Sequence, residues 1–139
     1  MVPATAAGPE SGRRSRPLGV LVGRKLEYVQ LGHSIALGFS GGCRVLIETI
    51  THLDGPGGRT DVEPGDNPDD IMATLLGETV RSAGSAADGE LCIDFGSGAR
   101  LVVDVDPDAE SWAVVGPGGY LIVCLARGEL ASWGEAARR

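Results

Sequence analysis

The chain has 139 residues, 42% hydrophobic but only 4% aromatic, which suits one domain whose core rests on Leu, Ile and Val. Its net charge of −7 is uneven, because Arg13, Arg14, Arg16, Arg138 and Arg139 lie in the two tails with only Glu10 and Glu135 against them. Without those residues the body holds 7 basic and 17 acidic side chains, a formal −10 that repels phosphate backbones and argues against nucleic-acid binding.

Residues 1–17 hold Ala, Gly, Pro, Ser and Arg but no apolar stretch of secretory type. The pair Arg13-Arg14 is followed by an apolar run of only Leu18 to Val22 before Arg24 and Lys25, too short for a twin-arginine signal. No segment is long and apolar enough to span a bilayer, so no membrane partner is expected. Cys43, Cys92 and Cys124 are odd in number and widely spaced, without a C-x-x-C pair, which points to free thiols in a reducing cytoplasm. Residues 1–17 and 134–139 are expected to be disordered tails around one domain at 18–133.

The body contains an internal repeat. Leu21-x-Gly23-x-x-Leu26 returns as Leu75-x-Gly77-x-x-Val80, 54 residues later. Ile35-x-Leu37-x-Phe39-x-x-Gly42-x-Arg44 returns as Leu91-x-Ile93-x-Phe95-x-x-Gly98-x-Arg100, now 56 residues later. The two-residue insertion falls near a hairpin turn, at Gly32-His33 in one unit and Asp88-Gly89 in the other. Each unit, about 18–53 and 71–105, reads as three strands. Ile35, Leu37 and Phe39 alternate onto one face, as do Leu91, Ile93 and Phe95. On the opposite face, Ser34, Ala36 and Gly38 are small enough for something to pack closely, whereas Glu90, Cys92 and Asp94 suit water.

Asp54 to Asp66 is rich in turn formers and reads as a loop. Asn67 as N-cap, Pro68 in the first turn, Asp69 and Asp70 at the positive end and Gly77 at the stop predict one short helix between the units. Trp112 to Val115, Tyr120 to Ala126 and Glu129 to Trp133 read as three more strands. The fold class is therefore mainly β, an antiparallel sandwich or partly open barrel with two three-strand units, C-terminal strands and one short helix. The motifs L-x-G-x-x-V and F-x-x-G-x-x-L-x-V, with Ala109-Glu110-Ser111-Trp112 and Leu130-Ala131-Ser132-Trp133, carry a resemblance. Over roughly Leu18 to Trp133 the chain resembles an uncharacterised family of small actinobacterial domains of unknown function. The resemblance implies no activity and assigns no functional residue.

Catalytic patterns fail on context. Gly38-Phe39-Ser40-Gly41-Gly42 matches G-x-S-x-G, but a strand rather than a helix follows it, and the second unit has Gly96 in place of Ser40. Asp104-x-Asp106-x-Asp108, with Glu110 nearby, opens like a calcium loop but lacks its turn glycine and its last ligand, leaving a weak metal candidate. His33 and His52 have no ligand spacing around them. Arg44 with Glu48 and Arg100 with Asp104 recur at one spacing on the non-core side, which makes them candidate binding residues together with Trp112 and Trp133. No catalytic residue and no cofactor is indicated. The expected function is a non-catalytic binding or protein-interaction domain, concretely an acidic immunity-like protein that neutralises a basic protein partner. The alternative is a small-molecule or cation-binding β-barrel, or a hydrolase, which a pocket gathering His33, His52 or Asp104 to Asp108 would favour.

Overall fold

The structure, a computed structural model, describes residues 16–66 and 68–138. Among these residues, twelve strands form two antiparallel six-stranded sheets and no closed barrel. In chain order they are β1 (Arg16–Pro17), β2 (Leu26–Leu31), β3 (Ile35–Phe39), β4 (Cys43–Ile47), β5 (Thr51–Gly55) and β6 (Gly58–Val62). These are followed by β7 (Val80–Ser85), β8 (Leu91–Phe95), β9 (Arg100–Val103), β10 (Trp112–Val115), β11 (Leu121–Cys124) and β12 (Leu130–Trp133). The first sheet runs β12-β11-β10-β4-β3-β2 and the second β1-β7-β8-β9-β5-β6.

Alternation decides what lies between the sheets. Ile35, Leu37, Phe39, Val45 and Ile47 of one sheet and Leu91, Ile93, Phe95, Leu101 and Val103 of the other are buried in one cluster. A three-stranded sheet with one apolar face has to cover that face, and here each sheet covers the other. The strands after β4 and β9 change sheets. Residues 48–50 carry the chain from β4 to β5, which pairs with β9, while 104–111 carry it from β9 to β10, which pairs with β4.

The two halves meet through matched backbone hydrogen bonds. Gly23 N donates to Val80 O and Gly77 N to Leu26 O, each at 2.8 Å. Leu26 N donates to Glu78 O and Val80 N to Arg24 O, each at 2.9 Å. In both pairs the second bond is the first with its residues exchanged across the 54-residue offset, and the bridge Lys25–Thr79 joins two positions with that same offset. The register also slips at corresponding places, between Leu26 and Tyr28 in β2 and between Val80 and Ser82 in β7.

Three local expectations change. The stretch expected as a loop from Asp54 contains the β5–β6 hairpin, with Asp54 opposite Arg59 and Gly55 opposite Gly58. The expected short helix is a 3-10 segment, Pro68–Leu75, in which Asp70 has φ of +52°. Met72 and Leu75, both buried, are three apart and so lie above one another at three residues per turn. The expected cap Asn67 lies outside the described residues. The described residues on either side of 18–133 also join the fold. Arg16 and Pro17 pair with β7, and Gly134–Arg138 forms a 3-10 turn with Ala136 buried. Arg16 ties these ends together by donating to Ser132 Oγ at 3.0 Å and Ala136 O at 2.6 Å.

Candidate functional site

The outward faces of the two sheets differ in chemistry. Across the second sheet, register places Ser82, Asp94, Arg100, Asp54 and Arg59 in one row. Opposite charges alternate along it and are paired. Arg100 Nε donates to Asp94 Oδ1 at 2.7 Å, Ser82 Oγ to Asp94 Oδ2 at 3.0 Å, and Arg59 Nε to Asp54 Oδ1 at 2.7 Å. Hydrogen bonding by Arg100 holds the Asp94 carboxyl below its usual range, and Arg59 does the same to Asp54. Such exposed pairs contribute little stability but leave few free charges on this face.

Beside that row, the His52 imidazole lies between two carboxylates. Its Nδ1 is 2.6 Å from Asp61 Oδ1 and its Nε2 is 2.9 Å from Asp104 Oδ2. Burial lowers the His52 pKa, but the hydrogen bonds and charges of Asp61 and Asp104 outweigh that effect, and the net shift is upward. With both ring nitrogens engaged, His52 offers no free lone pair to a substrate or a metal.

The first sheet presents an apolar face. One row holds Tyr28, Gly38, Arg44, Val115, Leu121 and Trp133, and the next holds Gln30, Ala36, Leu46, Ala113, Val123 and Ala131. Among the twelve, only Arg44 is charged and only Gln30 carries an amide. Tyr28 is 44% exposed and Trp133 48%, with Leu46, Val115 and Leu121 half-buried between them. Six strands at about 4.8 Å spacing separate the two aromatics by roughly 24 Å. Glycine at position 38 of β3 has a direct reason, since the Tyr28 ring lies over it and would collide with any Cβ there. In the other sheet the position matching Gly38 is Asp94, the partner of Arg100. Arg44 lacks that acid, and among the described residues neither the Arg44 nor the Glu48 side chain takes part in a hydrogen bond or ion pair.

The candidate binding residues therefore separate. Arg44 and Trp133 belong to the outer side of the first sheet, with Glu48 just past the end of β4, and Arg100 belongs to that of the second, with Asp104 just past the end of β9. Arg100 pairs with Asp94 rather than Asp104, and Asp104 pairs with His52. Among the candidate binding residues, Trp112 lies in the core. It is 1% exposed, and its Nε1 donates to Gly89 O at 2.9 Å.

Within the acidic turn, Asp106 Oδ1 accepts from Asp108 N at 2.8 Å and Asp106 N donates to Ser111 Oγ at 2.7 Å. Among the described residues no three His, Cys, Asp or Glu side chains gather as metal ligands, Asp104, Asp106, Asp108 and Glu110 included. Ser40 Oγ accepts from Lys25 N at 3.0 Å, as a turn serine does. His33 borders a shallow depression with Leu31 and Asp66. A larger open cavity of about 480 Å³ lies between the Gly55–Gly58 turn and the 3-10 segment, beside Ile71, Thr74 and Glu78. None of His33, His52 or Asp104 to Asp108 lines it.

Cys43, Cys92 and Cys124 are free thiols. Burial pushes the Cys124 pKa up to about 11 and raises those of Cys43 and Cys92, so none is activated as a nucleophile. No helix among the described residues is long and apolar enough to cross a membrane. No curated protein and no solved structure matches the chain. A family of unknown function, DUF6188, matches residues 18–134, nearly the whole of the described fold, and the chain belongs to that family.

Proposed function

We propose that this chain is a non-catalytic protein-interaction domain that binds through the outer face of β12-β11-β10-β4-β3-β2. One observation carries the reading: ten of twelve positions in the two central rows of that face are neither charged nor amide-bearing, while the matching face of the other sheet is charged and internally paired. A water-facing sheet normally alternates apolar inside with polar outside. An apolar outer face with aromatics at its two ends is the composition of a contact surface. The geometry around Ser40 and His52 also favours binding over catalysis, since the hydroxyl is bound to Lys25 N and both imidazole nitrogens to carboxylates.

A partner-masking role of the immunity kind, directed at a basic protein, fits the acidic body of the chain beside this face. We further read the chain as a cytoplasmic protein of two repeated units, on the three free thiols and the matched hydrogen bonds about Lys25 and Thr79.

Site-specific photocrosslinking tests the surface. A photoreactive residue replacing Val115 should give protein adducts in native cytosol, whereas one replacing Ser82, exposed on the opposite outer face, should not. Equal adducts at both positions, or none at Val115, would overturn the proposal.

A further inference from the structure

We infer that the occupant of the apolar face is a second copy of this chain, related by a two-fold axis that runs across β4 at Leu46. The inference rests on the reading of that face as a contact surface and adds the identity of the partner. Its basis is the charge pattern of β4 and the residue just beyond it. Arg44 and Leu46 lie on the outer side of β4, and exposed Glu48, one residue past its end, is still held to the sheet by its N donating to Ser111 O at 2.8 Å, so a cation and an anion stand two residues either side of a half-buried leucine. Neither charged group has a partner among the described residues.

In the second sheet, the equivalent arginine is neutralised within the chain by Asp94. In the first, Gly38 and the overlying Tyr28 take that place, so Arg44 is left on an apolar surface without its acid. Once that surface is covered, a desolvated charge needs a partner, and here the complementary one has to come from outside.

Of the in-plane two-folds through Leu46, one parallel to β4 would set Arg44 against Arg44 of the second copy. One perpendicular to β4 reverses the facing strand, setting Arg44 over Glu48 of the second copy and Glu48 over its Arg44. The interface is then isologous, with Leu46 meeting Leu46 at its centre. Stacked sheets lie about 10 Å apart, a gap that an arginine and a glutamate side chain span together.

Light-scattering mass measurement of the full chain, combined with charge exchange, tests this arrangement. The wild type should run at twice its 14.3 kDa chain mass, and Arg44→Glu and Glu48→Arg should each run as monomers because like charges then face each other. An equimolar mixture of the two variants should return to the doubled mass. In the mixed pair the glutamate introduced in one variant faces the arginine introduced in the other, and the retained Glu48 faces the retained Arg44. That recovery also shows both variants to be folded.

A wild type that stays monomeric at every concentration, single variants that remain dimeric, or a mixture that stays monomeric would each overturn the inference. The face itself is judged separately. Adducts at Val115 with a different protein, alongside a monomeric chain, would leave the contact surface standing and remove the second copy as its occupant.

Discussion

Arg44 and Arg100 hold matching positions in the two sheets, yet only Arg100 is paired, because the cross-strand neighbour is Asp94 in one sheet and Gly38 in the other. The exchange of aspartate for glycine is coupled to a second one, Ser82 for Tyr28, since the Tyr28 ring occupies the space over Gly38. This pair of differences separates the apolar face from the charged one.

Gly38→Asp alone should therefore destabilise the domain by about 1–3 kcal/mol, because the new side chain meets the Tyr28 ring. Tyr28→Ser together with Gly38→Asp should recover most of that loss by recreating the Ser82–Asp94–Arg100 arrangement around Arg44. Urea unfolding of the two variants checks this, and a double variant no more stable than the single would show the two positions to be independent.

Phe39 and Phe95 end β3 and β8 and are both buried, opposite Leu26 and Val80. Each change to Ala should cost about 3–5 kcal/mol. That is a large share of a typical domain stability of about 5–15 kcal/mol. Thermal and chemical denaturation measure it, and a variant that melts with the wild type would mean that the residue is not packed as described.

Much of the architecture was legible because a period of two is a local signal. Ile35, Leu37 and Phe39 alternate in the sequence and lie in the core. The β5–β6 hairpin was hidden by its own turn, since Asp54-Gly55-Pro56-Gly57-Gly58 serves loop and hairpin equally. The alternation of Thr51 and Leu53, answered by Thr60 and Val62, was the available clue. Missing that hairpin also concealed the Asp61 partner of His52.

Arg100 and Asp104 were singled out only as charges four apart on the non-core side. Four residues of strand span about 13 Å, whereas a directly opposed cross-strand pair is about 5 Å apart. Asp94 therefore takes the arginine. The apolar face was half legible, in the small residues Ala36 and Gly38. Its remainder depends on β10 pairing with β4, a long-range contact that no local pattern encodes.

His52 supplies a pH dependence with a defined sign. Its pKa is raised in the folded protein, so the folded state holds the proton more tightly than the unfolded chain. The resulting stabilisation is fully present below the ordinary histidine pKa of about 6.5 and is lost as pH rises through the folded value. The wild type should accordingly lose this contribution between mildly acidic and alkaline pH, and His52→Gln should not. An NMR titration of His52 with a midpoint at or below about 6.5 would contradict the assignment.

The central claim, that the outer face of the first sheet is a contact surface, can be read from the two tryptophans at once. Trp133 is 48% exposed on that face and Trp112 is 1% exposed in the core, so 5-fluorotryptophan gives one reporter of each. As chain concentration rises, or on addition of native cytosol, the Trp133 fluorine resonance should move and lose its solvent-isotope shift while that of Trp112 stays in place. A Trp133 resonance that keeps its position and its full solvent-isotope shift under both conditions would contradict the account.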